Sequence, residues 1–205
     1  MKSCRLFAIA SAIAVVPPAL AGAPAFSNFD DGPQGWTFPS GTEWRSTGGN
    51  SAGHLYGAMP DEQNITAGAF APAEFLGNWT SLDGSGSISF DYRRFSNGET
   101  PRAFFPLTIQ IAGPGGNATW NGPIINKPGD WTTYIAPINQ AAWTLDDGDW
   151  NELLADVTVF YIQLELVVND GLIDDTAGID NVSLIPAPSA AALVALSFLS
   201  ARRRR

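Results

Sequence analysis

The middle of the chain alternates apolar and polar residues over short stretches that are separated by turn-forming residues. Residues 87–92 alternate strictly, which places Ile88, Phe90 and Tyr92 on one face of a predicted strand. Residues 107–111 repeat the pattern and predict a second half-buried strand. Further strands are predicted at residues 53–57, 66–70, 131–136, 157–166 and 178–185.

One short helix is predicted among these strands, at residues 150–155. Asp149 is placed to cap its first turn, and Glu152, three residues on, completes the sequence of a capping box. No long stretch has the 3.6-residue periodicity of an amphipathic helix. Many short strands with one helix predict an all-β fold, an antiparallel jelly-roll β-sandwich, in a single domain over residues 22–184.

The first apolar stretch outside this domain is at the N-terminal side. Lys2 and Arg5 precede an apolar run over residues 6–16, and small residues follow at Ala19 and Ala21. A charged start, an apolar centre and a small-residue cleavage site are the parts of a secretory signal peptide. We therefore expect residues 1–21 to form a signal helix that is removed on export.

A second apolar stretch, residues 189–201, follows the domain and is predicted to form a hydrophobic helix. At about 1.5 Å per residue, residues 187–201 extend about 22 Å, whereas a membrane span needs about 20 residues. The tail is thus a marginal span, suited to temporary retention. Basic residues remain on the cytoplasmic side of a membrane, which places the domain outside. The flanking residues are Pro186, Ala187 and Pro188 on one side and Arg202, Arg203, Arg204 and Arg205 on the other.

Residues 185–205 resemble the PEP-CTERM sorting signal of Gram-negative bacteria. That signal joins a Pro-Glu-Pro motif, here residues 185–188, to a short hydrophobic helix and a terminal Arg cluster. The resemblance implies an exosortase-type processing enzyme as partner, transient membrane attachment, and a final location at the cell surface or outside the cell. Ala187 stands where the common form has Glu, and an ordinary membrane anchor is the alternative.

The net charge of the chain excludes some classes of binding partner. The chain has a net charge of −9. Six of its eleven basic residues lie in the two terminal segments, which leaves five basic residues against twenty acidic ones, a net charge of −15, for the domain. Such a surface repels nucleic acid. The single cysteine, Cys4, lies in the predicted signal peptide, so the domain has no disulfide or thiol site.

Several segments of the domain, in order, resemble the laminin IV type A (laminin B) domain, a jelly roll related to galactose-binding-like modules. They include Phe29-Asp30-Asp31-Gly32 with Trp36, residues 70–78, and the closing strand at residues 178–184. In carbohydrate-binding modules of that kind, an acid near the first strand and an Asp in the last often hold structural Ca²⁺. The matching positions are Asp30 and Asp180. The alternative is that Asp180 only forms hydrogen bonds at a strand end.

The seven tryptophans supply the candidate ligand contacts. Trp44, Trp79 and Trp120 lie among small and polar residues, so we expect them to form an exposed platform on which sugar rings can stack. The alternative is that these rings fill the core, where large aromatic side chains contribute most burial.

Catalysis has little support in the sequence. The chain has one histidine, His54, and no nucleophile-elbow motif, and a zinc site is improbable with one His and no available Cys. We therefore expect a non-catalytic, exported surface or matrix protein whose jelly roll binds polysaccharide or matrix components. A purely structural matrix protein and a divergent glycosidase are the alternatives.

Overall fold

The described part of the chain folds as two main antiparallel sheets with a two-stranded ribbon and one short helix. The computed structural model describes residues 24–39, 41–59, 67–98, 101–169 and 175–186. Within these ranges the strands are β1 Ala25–Ser27, β2 Thr42–Arg45, β3 His54–Met59, β4 Gly68–Phe70, β5 Ser87–Asn97, β6 Pro101–Phe104, β7 Pro106–Gly113, β8 Gly116–Ile124, β9 Thr132–Pro137, β10 Thr144–Gly148, β11 Val159–Gln163, β12 Val167–Asn169 and β13 Asp175–Ile185. The helix α1 spans Trp150–Ala155, and 3₁₀ turns span Ala73–Phe75, Thr80–Leu82 and Gln140–Ala142.

Two main sheets make up the sandwich. Sheet I has the strand order β2-β3-β13-β5-β9, and β1 pairs with the last residues of β13. Sheet II has the order β10-β8-β7-β11-β4, and β6 pairs with β12 in a separate ribbon. The predicted fold class, an antiparallel β-sandwich with one short helix, is confirmed.

The strictly alternating stretches form interior strands of the two sheets, β5 in sheet I and β7 in sheet II. Ile88, Phe90 and Tyr92 of β5 are buried, as their alternation predicts, and so are Leu107 and the other odd-numbered positions of β7 up to 111. Because every second side chain of a strand points to the same face, these residues line the inner faces of sheets I and II. The hydrophobic pattern therefore fixes which face of each sheet is left for solvent.

Helix α1 begins at the predicted residue, but its capping box is incomplete. The Asp149 carboxylate accepts hydrogen bonds from the backbone N–H groups of Asn151 and Glu152. The Asp149 N–H donates to the carbonyl of Gly115, not to Glu152. The turn between β7 and β8 thus takes the part that the sequence assigned to Glu152.

Aromatic side chains dominate one end of the core. The Trp36 ring makes edge-to-face contacts with Phe29, Phe75 and Phe160, at centroid distances of 5.3 to 5.8 Å. These contacts join the segment after β1 to the 3₁₀ turn at Ala73–Phe75 and to β11. Edge-to-face pairs of this kind add to the stabilisation that burial gives.

The two apolar terminal stretches, residues 1–21 and 189–201, lie outside the described residues. The signal helix, the hydrophobic helix and the Arg cluster at 202–205 therefore stay predictions from the sequence. Among the residues that the structure does describe, no helix has the length and apolar character that crossing a membrane requires.

Candidate functional site

The outer face of sheet II carries a band of aromatic, amide, hydroxyl and carboxylate side chains. Strand register sets Phe70, Tyr161, Gln110 and Thr119 side by side across β4, β11, β7 and β8. At about 4.8 Å per strand, the band from β4 to β10 extends about 19 Å. We call this band the sheet II face, and its residues are Phe70, Thr108, Gln110, Thr119, Asn121, Asp146, Tyr161 and Gln163.

The aromatic end of the sheet II face is a pair of rings in tilted contact, with 41° between their planes. Phe70 is 42% exposed, and its ring centroid lies 4.7 Å from that of Tyr161. The Tyr161 ring lies over Gly68, where a Cβ atom would be 2.1 Å from the Tyr161 hydroxyl oxygen. Glycine at position 68 therefore allows Tyr161 to lie flat along the sheet beneath the exposed Phe70 ring.

The Tyr161 hydroxyl stays neutral over the physiological range. It donates a hydrogen bond to the carbonyl of Ala67 at 3.3 Å. Burial raises the pKa of Tyr161 to about 12, and the nearby charge of Glu165 adds to the effect. The neutral phenol of Tyr161, fixed in this way, gives the Phe70 ring a rigid support on the sheet II face.

The rest of the sheet II face is polar and carries no positive charge. The Thr119 hydroxyl donates to the Asp146 carboxylate at 2.7 Å, which ties β8 to β10. The Thr108 hydroxyl donates to the Pro106 carbonyl at 2.9 Å and lies 3.4 Å from the Asn121 side-chain oxygen, and Gln110, opposite Thr119, is exposed. Amides and hydroxyls both donate and accept hydrogen bonds, so this surface suits a ligand rich in neutral hydroxyl groups.

Two of the three predicted platform tryptophans are in the core. Trp79 is fully buried, its indole N–H donates to the carbonyl of Phe75, and its ring contacts Phe160. Trp120 is 7% exposed and points inward from β8. The expectation that these rings are exposed is wrong, because small and polar neighbours in the sequence do not decide whether a side chain points into the core or toward solvent.

Trp44 packs beneath a loop and is only partly exposed. Its indole N–H donates to the carbonyl of Phe29 at 2.8 Å, and its ring packs against the core. Phe29 has a positive φ of 55°, a conformation that non-glycine residues adopt only when neighbouring groups hold it. Trp44 therefore supports the turn that presents Asp30, and the three tryptophans do not form a platform.

The structure brings the two predicted calcium ligands to the same loop. The Ser51 hydroxyl donates to Asp30 at 2.7 Å, and the Asn50 backbone N–H donates to Asp180 at 2.7 Å. The Asn50 side-chain amide also donates to Asp91 at 2.7 Å. Three carboxylates that are far apart in sequence thus surround the loop between β2 and β3.

Asp180 is the carboxylate with the least favourable surroundings. Its pKa is raised to about 6, mainly by burial and also by the charges of Asp91 and Asp30, while backbone N–H groups of Asn50 and Asn181 oppose the shift. A divalent cation would relieve this repulsion, and Ca²⁺ prefers such oxygen ligands. No three acidic, histidine or cysteine side chains converge on a metal position within the described ranges, so two carboxylates would need carbonyl or amide oxygens beside them. The calcium site stays a prediction.

Calcium should raise the melting temperature of the protein, and EDTA should lower it, if Asp30 and Asp180 share an ion. Preferential binding to the folded state at a hundredfold excess over Kd stabilises by about 2.7 kcal/mol. Asp180→Asn should remove the difference between calcium and EDTA, while Asp31→Asn, at an exposed neighbouring position, should keep it. Equal melting curves in calcium and EDTA for the unaltered chain would eliminate the site.

The sorting residues cannot be placed by the structure. Pro186 is the last described residue after β13, and Ala187, Pro188 and Arg202 to Arg205 lie outside the described ranges. Their role stays a prediction.

The sequence pattern did not identify the residues of the sheet II face as a binding site, because it shows only which of them point outward. Alternation at 107–111 marks Thr108 and Gln110 as outward-facing, but it does not indicate which sheet binds a ligand. Tyr161 stands inside the apolar run 159–162, where periodicity cannot tell an outward residue from an inward one. An aromatic residue next to glycine at the end of a short strand, as in Gly68-Ala69-Phe70, is the one local signal.

Neither a family model nor a curated protein matches the sequence, but solved structures match the fold. The chain is similar to the L4b domain of human laminin α-2, with 14% identity over 65% of this chain and 80% of that one and a TM-score of 0.51. It is also similar to the carbohydrate-binding module CtCBM11, with 15% identity over 84% of this chain, 100% of that one and a TM-score of 0.50. An exo-β-agarase matches with 17% identity and a TM-score of 0.49 over 79% of this chain, which spans 24% of the agarase chain. The chain thus shares the β-sandwich of a laminin domain and of carbohydrate-binding modules.

Proposed function

We propose that this protein binds a neutral polysaccharide through the sheet II face and performs no catalysis. The observation that carries the proposal is the exposed Phe70 ring, fixed on Tyr161 at one end of a band of amide and hydroxyl groups. Fold likeness to CtCBM11 and to a laminin domain supports it but does not choose the ligand.

The chemistry of the sheet II face matches that of an uncharged sugar chain. The apolar face of a pyranose ring can stack on Phe70, and the side chains of Gln110 and Asn121 can exchange hydrogen bonds with sugar hydroxyls. Sulfated or uronate-rich polymers are less suited, because the only charged member of the face is Asp146. A carboxylate repels anionic sugars and accepts hydrogen bonds from neutral ones.

The spacing of carboxylates supports a binding role over a glycosidase. Asp146 belongs to β10, and Glu165 follows β11, with β8 and β7 between these strands. Three strand spacings amount to about 14 Å, whereas a pair of catalytic carboxylates lies roughly 5–10 Å apart. These two acids would therefore flank a sugar chain without meeting across one glycosidic bond.

The terminal segments extend this proposal to location. A signal peptide at residues 1–21 would export the domain, and the apolar segment 189–201 with its Arg cluster would tether it to the membrane until an exosortase-type enzyme processes it. Polysaccharide outside the cell would then be within reach of the sheet II face. Low affinity for every glycan would favour the alternative, a structural matrix protein.

Phe70→Ala should weaken binding about tenfold, close to the 1.4 kcal/mol that corresponds to such a change in Kd, with little change in melting temperature. Affinity electrophoresis against a soluble β-glucan, a xylan and a galactan gives the measurement. Phe26→Ala is the matched control, because Phe26 is an exposed phenylalanine on sheet I. Equal loss in both variants, or no loss with Phe70→Ala, would contradict the assignment of the site.

A further inference from the structure

A second exposed surface, on the outer face of sheet I, is apolar and uncharged. Phe26 of β1 is 60% exposed, Ile135 of β9 is 61% exposed, and Ile185 at the end of β13 is 44% exposed. Strand register aligns Phe26, Ser183, Ser89 and Ile135 in one row across β1, β13, β5 and β9. The two serines are the small side chains that lie between Phe26 and Ile135 in this row. We call Phe26, Ile135 and Ile185 the sheet I patch.

The next row of the same face continues the uncharged surface. Ile185 pairs with Ser87, which pairs with Pro137. All of these positions lie on the same outer face, because they are two residues from Ser183, Ser89 and Ile135 on their respective strands. Apolar and small side chains thus fill two successive rows at this end of sheet I.

The size of the sheet I patch argues against a stable dimer. Phe26 and Ile135 are three strand spacings apart, about 14 Å, and Ile185 lies about 7 Å farther along the strands. The three side chains therefore outline roughly 50 Å², well below the about 800 Å² per partner that a stable protein interface buries. A contact this small needs a second attachment that holds it in place.

The chain itself supplies such an attachment at this place. Ala25 pairs with Leu184, so the chain enters and leaves sheet I at neighbouring positions beside the patch. Residue 185 belongs to the patch, and the apolar segment 189–201 begins four residues later. Four extended residues reach at most about 14 Å. A bilayer that holds this segment is therefore within about 14 Å of the sheet I patch.

We infer that the sheet I patch rests on the surface of a zwitterionic lipid bilayer while the chain is tethered, which orients the sheet II face away from the membrane. The inference rests on the proposed tether. A linked weak contact gains from the high effective concentration that a short linker creates. The acidic net charge of the chain, −9, opposes anionic lipid, whereas an uncharged patch is compatible with a zwitterionic surface.

The test uses residues 22–205, the chain without the predicted signal peptide and without a cysteine of its own, in phosphatidylcholine vesicles. A nitrobenzoxadiazole label is attached through Ile135→Cys and, in a matched chain, through Asn117→Cys, an exposed position on the outer face of sheet II. Lipids that carry a doxyl quencher on their acyl chains report contact between label and bilayer. Flotation of the protein with the vesicles shows separately whether the apolar segment 189–201 attaches the chain to the bilayer.

We expect both chains to float with the vesicles and quenching at position 135 to exceed that at position 117 at least twofold. Flotation with equal quenching at both positions would overturn the inference and leave the tether standing. A label at position 135 that is shielded equally without lipid would also overturn it, in favour of a second copy or of the tail itself as occupant. Failure to float would overturn the tether, and the inference with it.

Discussion

Replacing Trp79 with Ala is expected to lower the free energy of unfolding by about 3–5 kcal/mol, the range for removing a large aromatic side chain from a core. Trp79 is fully buried against Phe160, and its indole N–H donates to the Phe75 carbonyl. A small domain has only about 5–15 kcal/mol of net stability. Chemical denaturation, followed by fluorescence and circular dichroism, gives the measurement.

The same experiment separates a core role for Trp79 from a sugar-binding role. Trp79→Phe keeps most of the ring contacts and loses the hydrogen bond, so it should cost less than Trp79→Ala and leave polysaccharide binding intact. A Trp79→Ala chain that keeps its stability but loses binding would show that the ring meets ligand, contrary to its burial.

Acid should destabilise the unaltered protein relative to a His54→Phe variant by about 3 kcal/mol between pH 7 and pH 4. His54 is 2% exposed and packs against the rings of Tyr56, Phe95 and Trp131. Its pKa is lowered from 6.5 to about 4, mainly by burial and also by the positive charges of Arg45 and Arg93. The Thr47 backbone and the Glu43 charge oppose the shift without reversing it.

The direction of this change in stability follows from the protons that the folded and unfolded chains bind. Between pH 6.5 and pH 4 the unfolded chain binds a proton at His54 and the folded chain does not, so stability falls as pH falls. Asp180 acts in the opposite direction, because its raised pKa lets the folded chain take up a proton from about pH 6 downward. Comparison with His54→Phe cancels the Asp180 contribution. A stability difference between the two chains that is independent of pH would contradict the buried, neutral state of His54.

Strict alternation predicted an interior strand of each sheet, β5 and β7. β5 and β7 each have an inward apolar set and an outward polar one, so one period of two residues gives both the element and its buried face. Helix α1 was predicted to the residue because Asp149 marks its start with a chemical signal, a carboxylate that caps two N–H groups. These features depend on neighbours in the sequence.

The short edge strand β1 was not predicted, because its pairing is decided by distant residues. β1 has three residues and is defined by its ladder to β13, more than 150 positions away. Strand β11 likewise ends at Gln163, and a three-residue break, residues 164–166, separates it from β12, whereas the sequence predicted one strand up to residue 166. Local pattern carries too little information at such places.

The residues of the candidate sites also divide into those that the sequence predicted and those that it missed. Asp30 and Asp180 came from a resemblance, and the structure places both beside Asn50 and Ser51. The tryptophan platform failed because composition around a residue does not determine its direction, as Trp120 shows on β8. Phe70 and Tyr161 become neighbours only through pairing of β4 with β11, which no local pattern reveals.

The most direct test of the central claim is a map of the amide signals that shift when polysaccharide binds. The ¹⁵N-labelled protein is titrated with the tightest binder among the soluble β-glucan, xylan and galactan. We expect the largest shifts at Phe70, Gln110, Thr119 and Tyr161, on neighbouring strands of sheet II, and unchanged signals on the outer face of sheet I. Shifts that cluster on sheet I, or none with any of the three polymers, would contradict the account.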